Sequence, residues 1–250
     1  MRIVSLAPSV TEILFAIGAG EYIVANTSFC DFPPNSRILP KVGSWIYIND
    51  EKISSFSPDI VITSTVVQHK GKERFEKKNF RHIHLDPRGL EDIYKNILFL
   101  GNITGKMKES EKVVDSMKAQ EEKLVRNQPK KKLRVYIEEW FDPPMVSGNW
   151  VPDIVSLAGG EYILKERGGI SRKISLSEVE KFDPYVMFIS YCGFKDRSDP
   201  QKILRRNGWE KLGAIKNKKV FILDDTFLNR PGPRILESAR RIQSILHSLQ

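Results

Sequence analysis

The segment TGKMKESEKVVDSMKAQEEKLVRNQ, residues 104–128, decides how this chain is organised. It has no proline and no glycine after Gly105, and it is dense in lysine and glutamate. Four of its apolar residues follow each other at intervals of seven, three and seven positions and are Met107, Val114, Met117 and Leu124. This narrow apolar stripe indicates one amphipathic helix. At 1.5 Å per residue, a helix of about 24 residues would be roughly 36 Å long. The segment therefore predicts a stiff connector, which Pro129 would end.

Strand and helix patterns alternate on both sides of this connector. Apolar β runs occupy 2–6, 23–27, 59–64 and 82–86 before it, and 133–138, 185–190 and 219–223 after it. Helical patterns lie between the strands; one is expected to start with a capping box at Ser9 and Glu12, and another with Ser175 and Glu178. Strands separated by helices are typical of mainly parallel sheets covered by helices.

The sequence thus predicts an α/β fold of two Rossmann-like lobes with mainly parallel sheets, joined by one long rigid α-helix. The predicted parts are an N-terminal lobe at 1–103, the backbone helix at 104–128 and a C-terminal lobe at 129–250. Rigid aromatic or proline-rich loops occur in both halves, at 42–45, 150–153 and 227–234. Because binding residues concentrate on such loops, we expect a ligand cleft between the lobes.

Composition excludes several classes of protein. The 250 residues carry a net charge of +9, but the basic clusters at 70–78, 130–134, 205–206 and 216–219 are not interleaved with aromatic residues. We therefore interpret them as solvated surface and expect no nucleic-acid partner. No apolar run approaches the roughly 18 residues that span a bilayer. The chain starts with a strand pattern and not with a signal peptide.

Neither catalysis nor direct metal binding is indicated. We find no glycine-rich phosphate loop and no ordered Ser/His/Asp set, so the chain is predicted not to be an enzyme. The four histidines are His69, His82, His84 and His247; His82 and His84 share a strand face, but a pair is not a metal site. Cys30 and Cys192 are expected to be free thiols, with a disulfide or axial ligation of a bound metal cofactor as alternatives.

Several motifs, in order and spacing, carry a family resemblance: RIVSLAPSVTE (2–12), CDFPP (30–34), VGSW (42–45), SPDIVI (57–62), PPMVSG (143–148), WVP (150–152), LAGG (157–160), YCGF (191–194) and RPGPR (230–234). The chain resembles the helical-backbone class of ABC-transporter substrate-binding proteins, and within it the vitamin B12 (cobalamin) branch. The resemblance implies a monomeric receptor without catalysis or cofactor, which captures a corrinoid between its lobes and delivers it to an ABC importer permease. A ferric siderophore or haem receptor, and an intracellular corrinoid carrier or sensor, remain alternatives.

The resemblance also implies site residues. A flat, partly apolar corrinoid needs aromatic walls and a few polar groups, and the matching positions are Phe29, Phe32, Trp45, Trp150, Tyr191, Asp225 and Arg230. Packing roles for the two tryptophans and ion pairing for Arg230 are the alternatives, whereas Trp209 and Phe227 are assigned to the core. Permease docking is expected through an exposed glutamate on each lobe, Glu51 and Glu178, for which a helix-terminus role is the alternative. Service to an importer implies an extracytoplasmic location, and the cytoplasm stays open because no signal peptide is seen.

Overall fold

The computed structural model describes residues 1–45, 47–65, 68, 75 and 80–250. His69 and the basic residues of the cluster at 70–78 lie outside these described residues. The chain divides into two compact units. The N-unit comprises Met1–Pro87 and Glu91–Met117, and the C-unit comprises Arg88–Leu90 and Lys118–Gln250. The predicted three-part division stays a prediction.

The N-unit contains a four-stranded parallel sheet in the order β2-β1-β3-β4. Its strands are β1 (Ile3–Ser5), β2 (Ile23–Asn26), β3 (Ile60–Ser64) and β4 (His82–Leu85). Every residue of β1 and β3 is buried, as expected for central strands of a sheet covered on both faces. The sheet packs against a core that includes Val42, Ile53 and Phe75.

The helices beside this sheet for which the structure gives bounds are α1 (Pro8–Ala16), α2 (Asp50–Ser55) and α3 (Leu90–Thr104). Short 3₁₀ turns cover Gly20–Tyr22 and Pro34–Ile38. The capping box expected at Ser9 is wrong, because Ala7 is the N-cap residue and no side chain caps the helix. Pro8 takes the first helical position, where its missing N–H costs nothing.

The predicted connector forms α4 (Met107–Arg126), which has 20 residues and is shorter than expected at both ends. Val114, Met117 and Leu124 of its apolar stripe are buried, whereas Met107 is partly exposed. Within the C-unit, the Gln243 side-chain amide donates to the Leu124 carbonyl at 2.8 Å. The stripe therefore identified the packed face of the helix.

The C-unit sheet has the order β10-β9-β5-β6-β8, with β7 paired to β5. Strands β10, β9, β5 and β7 run parallel, whereas β6 and β8 are antiparallel additions. The strands are β5 (Arg134–Phe141), β6 (Pro144–Val146), β7 (Glu161–Tyr162), β8 (Arg172–Lys173), β9 (Val186–Ile189) and β10 (Val220–Ile222). The predicted α/β class with mainly parallel sheets is confirmed.

The C-unit helices are α5 (Val151–Leu157), α6 (Leu176–Phe182), α7 (Gln201–Leu204), α8 (Gly213–Lys216), α9 (Asp225–Leu228) and α10 (Ile235–Ser248), with a 3₁₀ turn at Trp209–Lys211. Helix α6 begins with the predicted capping box of Ser175 and Glu178. Trp209 is buried, as assigned from the sequence. Across the described part of the chain, no helix has the length and apolarity required to cross a membrane.

Candidate ligand-binding residues

The carboxyl edge of the N-unit sheet is built by the loops that follow β1, β2 and β3, the edge at which parallel α/β sheets bind ligands. The segment after the Pro34–Ile38 turn lengthens this edge, since Lys41 forms a parallel bridge with Asn26. The Val42 amide donates to the Asn26 carbonyl, and the Ser28 amide donates to the Gly43 carbonyl, both at 2.9 Å. These bonds bring the loop after β2 and the VGSW motif into one structure.

Four aromatic residues on this structure are open to solvent, and we name them the aromatic edge: Phe29, Phe32, Trp45 and Tyr47. Phe29 is 40% exposed, Phe32 39% and Tyr47 82%, and Trp45 is partly exposed. The exposed part of such a side chain stays in contact with water unless a ligand or partner covers it. The structure thus brings the three predicted N-unit aromatic residues onto one edge of the sheet.

Tyr47 was missed by sequence reasoning. Its amide donates to the Ser44 hydroxyl at 3.0 Å, and the Ser44 amide donates to the Tyr47 carbonyl at 2.8 Å. Gly43, with φ of +137°, allows this reversal, because a Cβ there would overlap the Tyr47 carbonyl oxygen. The Gly-Ser-Trp sequence could have indicated a turn here, and a turn would have indicated that Tyr47, two positions after Trp45, is exposed.

Trp150 and Tyr191, the aromatic residues expected to face a ligand from the C-terminal half, are buried within the C-unit. The Trp150 indole N–H donates to the Leu228 carbonyl at 2.7 Å. The Tyr191 hydroxyl donates to Glu138 Oε1 at 2.7 Å. Both rings occupy packing positions, which is the alternative that the sequence left open for Trp150.

Tyr191 is hydrogen-bonded to a buried ionic network around Glu138, a residue of β5. Glu138 is fully buried, and both of its oxygens accept from Arg206, at 2.7 and 2.8 Å. Tyr136 donates a further bond at 2.9 Å. Burial, together with the adjacent Glu138 carboxylate, raises the pKa of Tyr136 and Tyr191 well above the ordinary value. Both phenols therefore stay protonated and donate to the carboxylate.

Three partly exposed aromatic side chains lie beside this network at the carboxyl edge of the C-unit sheet: Trp140, Phe141 and Phe194. Trp140 and Phe141 were missed because the strand was expected to end at Glu138, whereas β5 continues to Phe141. Phe194 belongs to the YCGF motif but was not predicted as a site residue. Trp140 stacks on Phe141 with 5.2 Å between ring centroids. The signal was present in the aromatic pair that continues the β pattern.

Asp225 is buried at the start of α9 and accepts from the backbone amides of Gly193, at 2.9 Å, and Lys195. Burial raises the pKa of this carboxyl, and the amide bonds and the Arg230 charge act in the opposite direction. Arg230 is partly buried. The structure thus gives Asp225 a defined role in fixing the loop at 191–195, and brings Arg230 into its electrostatic neighbourhood.

Both cysteines are free. Burial raises the pKa of Cys30, and burial together with the Glu139 and Asp225 charges raises that of Cys192. Because the thiolate is the form that ligates metals, neither side chain is prepared to do so in this state. Within the described ranges, no group of three or more His, Cys, Asp or Glu side chains could hold a metal ion.

The two predicted docking glutamates differ in their surroundings. Glu51 is exposed in the first turn of α2, which Asn49 caps. Glu178 is exposed too, but it accepts from the Ser175 amide at 3.0 Å and pairs with Arg172 at 2.8 Å. The Ser175 amide bond, with the Arg172 and Ser175 side chains, lowers the pKa of Glu178 to about 2. Glu178 therefore already has intramolecular partners.

The chain is similar in sequence to binding proteins of known or assigned type. The vitamin B12-binding protein of Vibrio vulnificus is 28% identical over 256 residues, covering 96% of this chain and 88% of that protein. An uncharacterized ABC transporter substrate-binding lipoprotein of Bacillus subtilis, YvrC, is 24% identical, covering 98% of this chain and 80% of that protein.

Two solved structures share the fold over nearly the whole chain. The periplasmic vitamin B12-binding protein BtuF of Vibrio cholerae superposes with a TM-score of 0.77 at 25% identity, covering 100% of this chain and 98% of that chain. IsdE of S. aureus, complexed with heme, superposes with a TM-score of 0.87 at 18% identity, covering 98% of each chain.

The periplasmic binding protein family model matches residues 3–226. Its members are binding proteins and not enzymes, in agreement with the absence of catalytic motifs from the sequence. The strand order, the loops at the carboxyl edges and this match lead to one conclusion: the chain belongs to the periplasmic binding protein family.

Proposed function

We propose that this protein is the substrate-binding receptor of an ABC importer, and that it captures cobalamin or a related corrinoid. The observation that carries the proposal is the aromatic edge of the N-unit. Four partly or largely exposed aromatic side chains gather where parallel sheets bind ligands. A corrinoid is broad, flat and partly apolar, and such a ligand is bound by aromatic surfaces with few polar groups.

The relatives support the corrinoid class. The vitamin B12-binding proteins of two Vibrio species align over nearly the whole chain. Haem is the second candidate, because a haem-complexed protein has the same fold, and haem is also a flat macrocycle. Ferric siderophores remain the third ligand class to test. For all three, the permease of an ABC importer is the expected partner and the extracytoplasmic side of the membrane is the expected location.

The Trp45 and Phe29 side chains are the first to test. Titration with cyanocobalamin, followed by tryptophan quenching and calorimetry, should show saturable one-to-one binding. We expect Trp45→Ala and Phe29→Ala each to weaken it about tenfold or more, the effect of removing an aromatic anchor from a binding surface. Phe99→Ala is the matched control, since Phe99 is 41% exposed but lies on α3.

Two results would change this assignment. Equal weakening by Phe29→Ala and Phe99→Ala would mean that the aromatic edge is not the binding surface. Binding of haemin or a ferric siderophore in place of cyanocobalamin would keep the receptor function and replace the ligand. A protein that binds none of the three contradicts the proposal.

A further inference from the structure

The C-unit carries an aromatic surface that is separate from the aromatic edge. We name it the aromatic platform and define it by Trp140, Phe141 and Phe194. Trp140 lies 5.2 Å from Phe141 and 6.3 Å from Phe194 between ring centroids. All three side chains are partly exposed and lie at the carboxyl end of β5 or in the loop after β9. The platform thus lies at the edge where this class of sheet binds ligands.

The base of the platform is held rigidly. Tyr191 packs under it, with centroids 5.6 Å from Phe141 and 6.2 Å from Phe194. Arg206, which binds Glu138 with two bonds, also donates to the Phe141 carbonyl at 2.7 Å. A buried ion pair is rarely needed for stability alone, since apolar residues of similar volume serve as well. Here the pair fixes both the ring beneath the platform and the backbone that carries it.

A positive charge lies on the same surface. Lys202, on α7, places its ammonium 3.5 Å from the centroid of Phe141 and 5.3 Å from that of Phe194. The aromatic faces attract the ammonium, but they use only part of its three-donor capacity. Among the described residues, no carboxylate forms an ion pair with Lys202. The platform thus combines flat apolar rings with a cation that lacks an anionic partner within the described chain.

We propose that the aromatic platform and Lys202 form a subsite for the anionic arm of a flat macrocyclic ligand. The rings contact the apolar rim of the ligand, and the ammonium pairs with a phosphate or carboxylate on its arm. This inference rests on the proposed function and adds Trp140, Phe141, Phe194 and Lys202 to the predicted site residues. The phosphodiester of cobalamin and the propionates of haem are the two sources of such an anion.

Removal of the charge is the test. Lys202→Met keeps most of the apolar stem, and Lys202→Gln is a second neutral variant. We expect each to weaken cyanocobalamin binding about tenfold, as for loss of a charge-assisted hydrogen bond. Dicyanocobinamide, which lacks the phosphodiester, should bind both variants as it binds the unaltered protein. Lys202→Arg should restore cyanocobalamin binding.

Lys219→Met is the matched control. The Lys219 ammonium lies 3.3 Å from the Tyr185 ring centroid, so it makes the same kind of cation–π contact in the same unit. Tyr185 precedes β9 and Lys219 precedes β10, which places this pair at the amino edge of the parallel strands. Its neutral variant should leave the affinity for both corrinoids unchanged.

The outcomes separate this inference from the proposed function. If the unaltered protein binds haemin instead, Lys202→Met should weaken haemin but not its dimethyl ester, which supports a carboxylate source. Equal weakening of cyanocobalamin and dicyanocobinamide, or no weakening of either, overturns the subsite while leaving the receptor function intact. Failure of the unaltered protein to bind corrinoids, haemin or a ferric siderophore overturns both.

Discussion

The loops at the carboxyl edges of the two sheets are held in different ways. In the N-unit, backbone hydrogen bonds and the side chains of Asn26, Lys41 and Gln68 shape the loops, and the aromatic side chains are open to solvent. In the C-unit, Tyr191 is buried over the Glu138–Arg206 ion pair, which also holds the Phe141 backbone. The comparison shows that the C-unit edge is built over a buried ion pair, whereas the N-unit edge is held by backbone groups and side-chain hydrogen bonds.

The largest expected effect is the loss of stability when the buried Glu138–Arg206 pair is broken. Glu138→Ala leaves Arg206 without its carboxylate, and breaking a buried pair in this way costs about 3–5 kcal/mol of unfolding free energy. Glu237→Ala is the control, because Glu237 pairs with Arg240 and Arg241 on the partly exposed surface of α10, where a pair contributes about 1 kcal/mol or less. Urea denaturation measures both. Similar losses in the two variants would mean that the buried pair contributes no more to stability than a surface pair.

The two predicted docking glutamates offer a second test. Glu51→Lys should strongly reduce ligand uptake by the importer while leaving ligand affinity unchanged, because an exposed carboxylate that docks a partner pairs with positive charge, and reversing it places like charges together. Glu178→Lys should act less selectively, since Glu178 already serves Ser175 and Arg172. Uptake in a transport assay, measured beside ligand affinity, distinguishes them. Unchanged uptake with Glu51→Lys would contradict the docking role.

The smallest expected effect is the pH dependence of the α6 cap. The folded-state pKa of Glu178 is lowered from 4.5 to about 2, so its contribution to stability is present above about pH 4.5 and is lost as the pH falls toward 2. Because the side chain is exposed, we expect only about 0.5 kcal/mol. Glu178→Gln should flatten this part of the stability profile, and Glu180→Gln on the same helix should not. An unchanged slope in Glu178→Gln would mean that the cap is absent in solution.

Local sequence predicted much of the fold. Apolar β runs located all four strands of the N-unit sheet and β5, β9 and β10 of the C-unit sheet, and the Ser175–Glu178 spacing located the start of α6. The short strands β6, β7 and β8 were not predicted, because two or three residues carry no periodic signal. The prediction failed at Ser9, because the N-cap is Ala7 and the helix starts two residues earlier, at Pro8. The predicted strand also ended too early, at Glu138. A charged residue usually marks the end of a buried strand, and the sequence does not show that Arg206 compensates this one. The missed residues Trp140 and Phe141 follow from that error.

The sequence by itself determined the order and type of the longer elements, the parallel strands at the centre of each sheet and the face of α4 that packs, since these depend on propensity and on periodicity over a few residues. Only the tertiary structure decided which polar and aromatic side chains are buried. Glu138 meets Arg206 across 68 positions of sequence and Tyr191 across 53. Such partners can compensate a buried charge only after the chain has folded, so no local pattern could reveal that Tyr191 supports the aromatic platform while Phe29 stays open to solvent.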